Sequence, residues 1–179
     1  MLKLHLGCGP NILPGYTNVD KFVEHPDVLS HDILNLPFDD QSVDEILSEH
    51  MLEHLSFEEE KKFWYECHRV LAPNGVLKIE TPDFEWLCQK FLEADESEFE
   101  FYETGSIDHY FGNGRSTDHR WGMLTTHFFG NQNGPGQFHK TAYTENKYRL
   151  IAKLLGFKHC EILKVQNKGA QALVVTLTK

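Results

Sequence analysis

Leu2-Lys3-Leu4-His5-Leu6-Gly7-Cys8-Gly9-Pro10, with Asn18-Val19-Asp20 shortly after it, is the stretch on which the fold is decided. Leu2, Leu4 and Leu6 alternate as in a short strand, and that strand runs directly into a Gly-x-Gly turn. A second short apolar segment then ends in a carboxylate. Glycine suits both turn positions because, without a Cβ, it accepts positive φ and lets a ligand lie against bare backbone amides. Asp20, at the tip of the second strand, is placed to accept hydrogen bonds from the two hydroxyls of a ribose. The layout predicts a nucleotide pocket. The competing readings are an ordinary tight turn for Gly7 and Gly9 and a solvated strand end for Asp20.

Two departures narrow the guest. A dinucleotide fingerprint needs a third glycine, but Ile12 stands at that position, and Asp20 comes well before the roughly 20-residue separation expected there. A pyrophosphate is therefore disfavoured, and with it a nicotinamide-dependent oxidoreductase. The turn Leu6-Gly7-Cys8-Gly9 resembles that of the class I S-adenosylmethionine (SAM) dependent methyltransferases, where it lies against the methionine portion of the cofactor.

Composition sets outer bounds. A chain of 179 residues with 40% apolar and 25% charged residues has the size and character of one globular domain with a genuine core. No apolar run approaches the roughly 18 residues of a membrane span, and the N-terminus enters a strand rather than a signal peptide. These features predict a cytoplasmic protein. A net charge of −10 repels phosphate backbones and argues against nucleic acid as a partner. The cysteines Cys8, Cys67, Cys88 and Cys160 are widely spaced with no Cys-x-x-Cys pair, which fits reduced thiols rather than a zinc site. Nothing in the sequence specifies an oligomeric state.

Downstream, Asp27-Val28-Leu29-Ser30-His31-Asp32 and Val43-Asp44-Glu45-Ile46-Leu47-Ser48 read as further short strands. Ser56 opens a capping box with Glu59, and Phe57, Phe63, Trp64, Cys67, Val70 and Leu71 follow at helical spacing as a core stripe. Pro73-Asn74-Gly75 ends that helix, and 76–80 reads as a strand covered on both faces. Asp83 caps a helix carrying Phe84, Leu87, Cys88, Phe91 and Leu92, and Thr144 caps another that stops at Gly156. Strands at 157–165 and 172–178 form a terminal hairpin. Between Gly9 and Asn18, Pro10, Pro14 and Gly15 curtail or remove the usual first helix. Residues 104–136, rich in Gly, His and aromatics, read as a substrate-side insertion in a single domain spanning 1–179. Alternating helices and strands ending in a hairpin predict a largely parallel sheet with one antiparallel strand.

Three more blocks resemble the type 11 methyltransferases. Asp32-Ile33 with Leu36-Pro37-Phe38 and Ser42-Val43-Asp44 is similar to their adenine-side segment. Ser48-Glu49-His50-Met51-Leu52-Glu53-His54-Leu55 is similar to their fourth-strand signature, and Arg69-Val70-Leu71-Ala72-Pro73-Asn74-Gly75-Val76-Leu77-Lys78-Ile79 to their turn into the fifth strand, with Asn74 where glycine is commoner. Weaker likeness resumes at His139-Lys140, Tyr143-Thr144 and 154–157. The resemblance implies an α/β fold, a Rossmann-like three-layer sandwich with a mostly parallel seven-stranded sheet and an antiparallel C-terminal hairpin. It also implies SAM as cofactor, S-adenosylhomocysteine as product, and a small-molecule acceptor, for which a sugar or cell-surface precursor is one reading.

On this reading Leu6, Gly7, Cys8, Gly9, Asp20, Asp32, Ile33, Ser48 and Glu49 surround the cofactor at the carboxyl ends of the strands. SAM carries the reactive sulfonium, so few catalytic groups are required. His50 is the candidate general base, since an imidazole titrates near neutral pH, with helix-entry packing as its alternative. Asp32 reads either as an adenine contact or as a local turn cap. His119, His127, His139 and Tyr143 are the candidate substrate contacts. The histidines lack a compact ligand motif such as His-Glu-x-x-His, so no metal is expected. A non-catalytic SAM-binding or interaction module remains the alternative from another functional class.

Overall fold

The computed structural model describes residues 1–93, 127–132, 134, 136–167 and 170–179. In chain order the elements are β1 (Lys3–Leu6), β2 (Thr17–Val19), β3 (Val28–Leu29), β4 (Val43–Glu49), α1 (Phe57–Val70), β5 (Leu71–Pro82), α2 (Phe84–Glu93), α3 (Glu145–Leu155), β6 (His159–Asn167) and β7 (Ala170–Thr178). They build one seven-stranded sheet in the order β3-β2-β1-β4-β5-β7-β6. The first five strands pair in parallel, and β7 runs antiparallel to both β5 and β6. Strand order therefore reverses between β1 and β4, which opens a crevice at their carboxyl ends. This is the predicted Rossmann-like sheet with its terminal hairpin.

Period-two alternation decides which face is packed. Leu4 and Leu6 of β1, Ile46 of β4, Leu77 and Ile79 of β5, and Leu173, Val175 and Leu177 of β7 are buried on one face. Against them lie Phe63, Trp64, Cys67 and Val70 from α1 and Tyr148 and Ala152 from α3. Each large side chain removed from water there contributes about 1.5–3 kcal/mol. Both helices begin with a side-chain cap. Ser56 and Glu59 form the reciprocal capping box of α1, while the Thr144 hydroxyl accepts from Lys147 N and Gly156, at φ 78°, closes α3. Asp83 Oδ1 accepts the backbone N–H groups of Glu85 (3.1 Å) and Trp86 (3.3 Å) at the start of α2.

The opposite face of β1 carries Lys3 and His5. The Tyr16 hydroxyl reaches across this face to donate to the Glu45 carboxylate, which also faces Lys3 Nζ (3.4 Å) and Lys78 Nζ (3.2 Å). His5 meets the Tyr16 ring edge-on at 6.4 Å. Residues 7–16 contain no helix, as their prolines and glycine require. Among the described residues, the layer over β1 on this face is thus irregular chain, while α1 and α3 supply the helical layer on the other.

Some local expectations shift. Pro73-Asn74-Gly75 does not end α1, which stops at Val70, and the chain is already extended from Leu71. Asn74 adopts φ 66°, and the pairing with β4 slips between Val43 and Glu45, so the segment is an irregularity inside a longer strand. Phe57 is not core. At the first turn of α1 it projects from the packed stripe and is 75% exposed. Arg69, near the end of α1, ties down the chain before β4: its Nη1 donates to Phe38 O (2.9 Å) and Asp40 Oδ1 (2.7 Å), and its Nη2 to Leu36 O (3.1 Å) and Glu66 Oε1 (2.7 Å). Its Nε donates to Glu66 Oε2 at 2.9 Å. No helix among the described residues is long and apolar enough to cross a membrane.

Candidate active site

A cavity of about 560 Å³ occupies the crevice, bounded by Gly7, Cys8 and Gly9 of the first turn, Asp20 to Val23 after β2, Asp32 to Leu34 after β3, and Glu49 to Met51 after β4. His54, Leu55, Glu59, Gln137 and Lys140 close its far rim. The volume is that of a site for a small organic ligand. The first four segments are each delivered by a strand end, so the sheet topology assembles that side of the cavity.

The glycines have different roles. Gly7 sits at φ 66°, and a Cβ there would lie 2.2 Å from Met51 Cγ and 2.9 Å from Met51 Cβ. Gly9 sits at φ 52° with nothing within 4 Å of the corresponding point, so its missing side chain leaves open space beside the cavity. The backbone amides of this turn are not bare. Gly7 N (2.8 Å) and Cys8 N (3.4 Å) donate to Val19 O, Gly9 N donates to Asp20 Oδ2 (3.0 Å), and Asn11 N donates to Cys8 O (3.0 Å). Pro10 has no donor. A pyrophosphate needs free N–H groups, and this turn supplies none, whereas a neutral or cationic ligand can lie along it through van der Waals contact.

Asp20 is 9% exposed and uses both oxygens, Oδ2 on Gly9 N and Oδ1 on Phe22 N (2.7 Å). It thereby locks the glycine turn to the tip of β2, and an ionised carboxylate retains lone pairs for ligand hydroxyls. Asp32 Oδ1 caps a turn by accepting from Leu34 N (3.0 Å), and its Oδ2 lies 3.7 Å from Lys21 Nζ. Ile33 also lines the cavity. Leu6 and Ser48 are fully buried behind the wall, where Ser48 Oγ donates to Leu6 O (3.1 Å) and joins β1 to β4. Glu49 is half-exposed, 3.5 Å from Asn11 Nδ2. Burial and the Asp20 charge push the Cys8 thiol up to about 11, so it stays protonated and is no nucleophile.

His50 occupies the left-handed region at φ 48°, a conformation that costs a non-glycine residue about 1 kcal/mol or more. Both of its nitrogens face carboxylates: Nε2 lies 3.1 Å from Glu80 Oε1 and Nδ1 lies 3.5 Å from Glu53 Oε1. The Glu53 contact, reinforced by Glu80, raises its pKa despite partial burial. Burial alone would raise the Glu53 carboxyl, but the hydrogen bond with His50 and its charge hold it below its usual range.

His119 lies outside the described residues, as does most of the 104–136 insertion. His127, His139 and Tyr143 are brought together, but around a separate cavity of about 20 Å³ with Glu53, Thr81 and Phe84. Tyr143 is 1% exposed and stacks on Tyr148 with ring centroids 4.7 Å apart. Sequence reading missed the turn-locking role of Asp20, the Arg69 hub and the meeting of 52–54 with 137–141. Asp20 holds backbone amides, Arg69 divides its bonds between backbone carbonyls and the carboxylates of Asp40 and Glu66, and the third joins segments far apart in the chain.

Comparison with known proteins agrees with this geometry. Residues 10–79 match the methyltransferase domain family. Among solved structures, a Burkholderia thailandensis 1,6-didemethyltoxoflavin N1-methyltransferase with bound 1,6-didemethyltoxoflavin and S-adenosylhomocysteine superposes with a TM-score of 0.62 at 15% identity, covering 99% of this chain and 70% of that one. A SAM-dependent methyltransferase from Methanosarcina mazei gives 0.62 at 15% identity, with coverages of 99% and 91%. One from Archaeoglobus fulgidus gives 0.58 at 16%, with coverages of 99% and 85%. No curated protein matches the chain. Residues 10–79 thus resemble the methyltransferase domain family, and the chain shares the fold of these SAM-dependent methyltransferases, including the strand-order reversal between β1 and β4.

Proposed function

We propose that the 560 Å³ cavity holds SAM together with a small-molecule acceptor. The observation that carries this reading is the turn at 7–11, whose amides are all consumed internally and whose Gly9 leaves open space at the cavity wall. Those residues fit a sulfonium ligand and not a diphosphate. In this reading Gly7, Cys8 and Gly9 line the methionine end, Asp20 accepts from the ribose hydroxyls, and Asp32 and Ile33 border the adenine. Glu49 faces the same cavity, while Leu6 and Ser48 brace its wall from behind. When bound, the cofactor supplies an electrophilic methyl group, and the residues around it need only orient the acceptor and exclude water.

His50 acts in this scheme as a positioning residue. A base needs a free lone pair, and both His50 nitrogens are directed at carboxylates, so the imidazole links Glu53 to Glu80 across the entrance. A metabolite-sized acceptor is supported by the cavity volume and by a net charge of −10, which disfavours nucleic acid. The toxoflavin-precursor enzyme, which shares the fold, also acts on a small molecule. Four free thiols fit the reducing environment of the cytoplasm.

The test is calorimetric titration with S-adenosylhomocysteine. Asp20→Ala should weaken binding by about 1–3 kcal/mol, roughly 5- to 150-fold, through loss of the ribose bonds and of the turn lock. An unchanged dissociation constant in a folded variant removes the assignment. S-adenosylhomocysteine formation on adding a metabolite extract supports the small-molecule acceptor, and formation only with RNA or protein fractions overturns it.

A further inference from the structure

We propose that Glu53, His54 and His139 form a binding site for a divalent transition-metal cation of the Zn²⁺ and Co²⁺ class, set in the wall of the main cleft. One ligating atom from each residue lies within 4.8 Å of the others. Glu53 and His54 come from a single turn, Leu52–His54, and His139 from a segment far along the chain. The two are clamped together by backbone. Lys140 N and Thr141 N donate to Glu53 O at 2.7 and 3.2 Å, and Thr141 Oγ donates to Leu52 O at 3.2 Å. Gly130, at φ 75°, permits the approach, since a Cβ there would fall 2.2 Å from Gln137 O and 2.9 Å from His139 Cδ2.

Two independent features point to a cation. The first is tautomeric. His54 Nδ1 lies 3.1 Å from Phe138 O and His139 Nδ1 lies 2.9 Å from His127 O. A carbonyl only accepts, so each Nδ1 carries the proton and each Nε2 carries a lone pair, the arrangement that orients metal-binding histidines. The second is an orphaned carboxylate atom. Glu53 is 3% exposed, and its Oε2 has no hydrogen-bond partner among the described residues. A buried anionic oxygen without a partner is costly, and a cation satisfies it.

Two imidazoles and one carboxylate form a donor set that holds Zn²⁺ with a position left open, and that also binds other borderline first-row cations. Ligands bonded at about 2.0–2.2 Å stand roughly 3–3.5 Å apart, so the side chains draw inward as the cation enters. His54 also lines the main cleft, whereas Glu53 and His139 line the small cavity behind it, so the cation would sit between the two spaces. The proposal does not depend on SAM occupying the cleft.

Chelator-stripped protein is titrated with Co²⁺ and followed by visible ligand-field absorption and by calorimetry. One saturable equivalent per chain is expected. Glu53→Gln and His139→Gln should each weaken it by about 100-fold or more, while His31→Gln, at a half-buried imidazole elsewhere, should leave it unchanged. Circular dichroism without metal identifies any variant that fails to fold, and His54→Gln then serves in its place. Absence of saturable binding by the wild type, or undiminished absorption in the folded ligand variants, overturns the proposal and leaves a hydrogen-bonded packing cluster.

Discussion

Alanine at Gly7 and alanine at Gly9 should have opposite consequences, although the two glycines share one turn. Both have positive φ, so either substitution costs about 1–2 kcal/mol in backbone strain. At Gly7 the new methyl would also overlap Met51, 2.2 Å from Cγ and 2.9 Å from Cβ. The Met51 side chain can rotate its Cγ away, but its Cβ is fixed to the backbone, so overpacking adds a further 1–3 kcal/mol or so. Gly7→Ala should therefore lose about 2–5 kcal/mol of stability. Gly9→Ala meets nothing within 4 Å and should lose only the strain, yet its methyl would occupy space at the cavity wall. Urea denaturation measures the first effect, and calorimetry with S-adenosylhomocysteine measures the second. We expect Gly9→Ala to bind at least about tenfold more weakly, and folded Gly7→Ala to bind nearly as wild type. Met51→Ala should restore only part of the Gly7→Ala loss, because the Cβ remains. Equal stabilities for the two variants would refute the packing argument, and wild-type affinity in Gly9→Ala would refute the placement of the cofactor.

Arg69→Lys should destabilise the fold by about 1–3 kcal/mol in urea denaturation, because one ammonium cannot replace a fork that serves Leu36, Phe38, Asp40 and Glu66 together. The Ser56 backbone N–H, followed by the Ser56 hydroxyl and Lys140, holds the Glu59 carboxyl down at about 2 against an ordinary 4.5. Because the folded value is the lower one, its contribution is complete above pH 4.5 and is lost as pH falls toward 2. For a capping group about one-third exposed this amounts to about 1 kcal/mol, and Glu59→Gln should flatten the stability profile over that window when melts are recorded across pH. His50→Gln should cost less than about tenfold in extract-supported S-adenosylhomocysteine production, where loss of a true general base would cost 10²–10⁴.

Most of the scaffold was legible because its signals are local. The capping residues Ser56, Thr144 and Asp83 satisfy amides within one turn, and Gly156 closes a helix on its own backbone. The prolines between Gly9 and Asn18 exclude a helix by their ring geometry. Phe57 misled because helical spacing counts a residue into the stripe, whereas at the first position of α1 its ring stays in solvent. The glycine turn was recognisable from its pattern, but not the fate of its amides, which depends on Val19 and Asp20 arriving beside it.

The sequence by itself determined an α/β domain with a Gly-x-Gly turn straight after its first strand, since alternation, caps and chain-breaking residues act over a few positions. Only the tertiary structure decided that this turn offers no donors to phosphate, that His50 is bridged by two carboxylates, and that His139 meets Glu53 and His54. These outcomes rest on contacts between distant segments, whose geometry is set by how strands align in the sheet and how side chains pack above it rather than by any local preference.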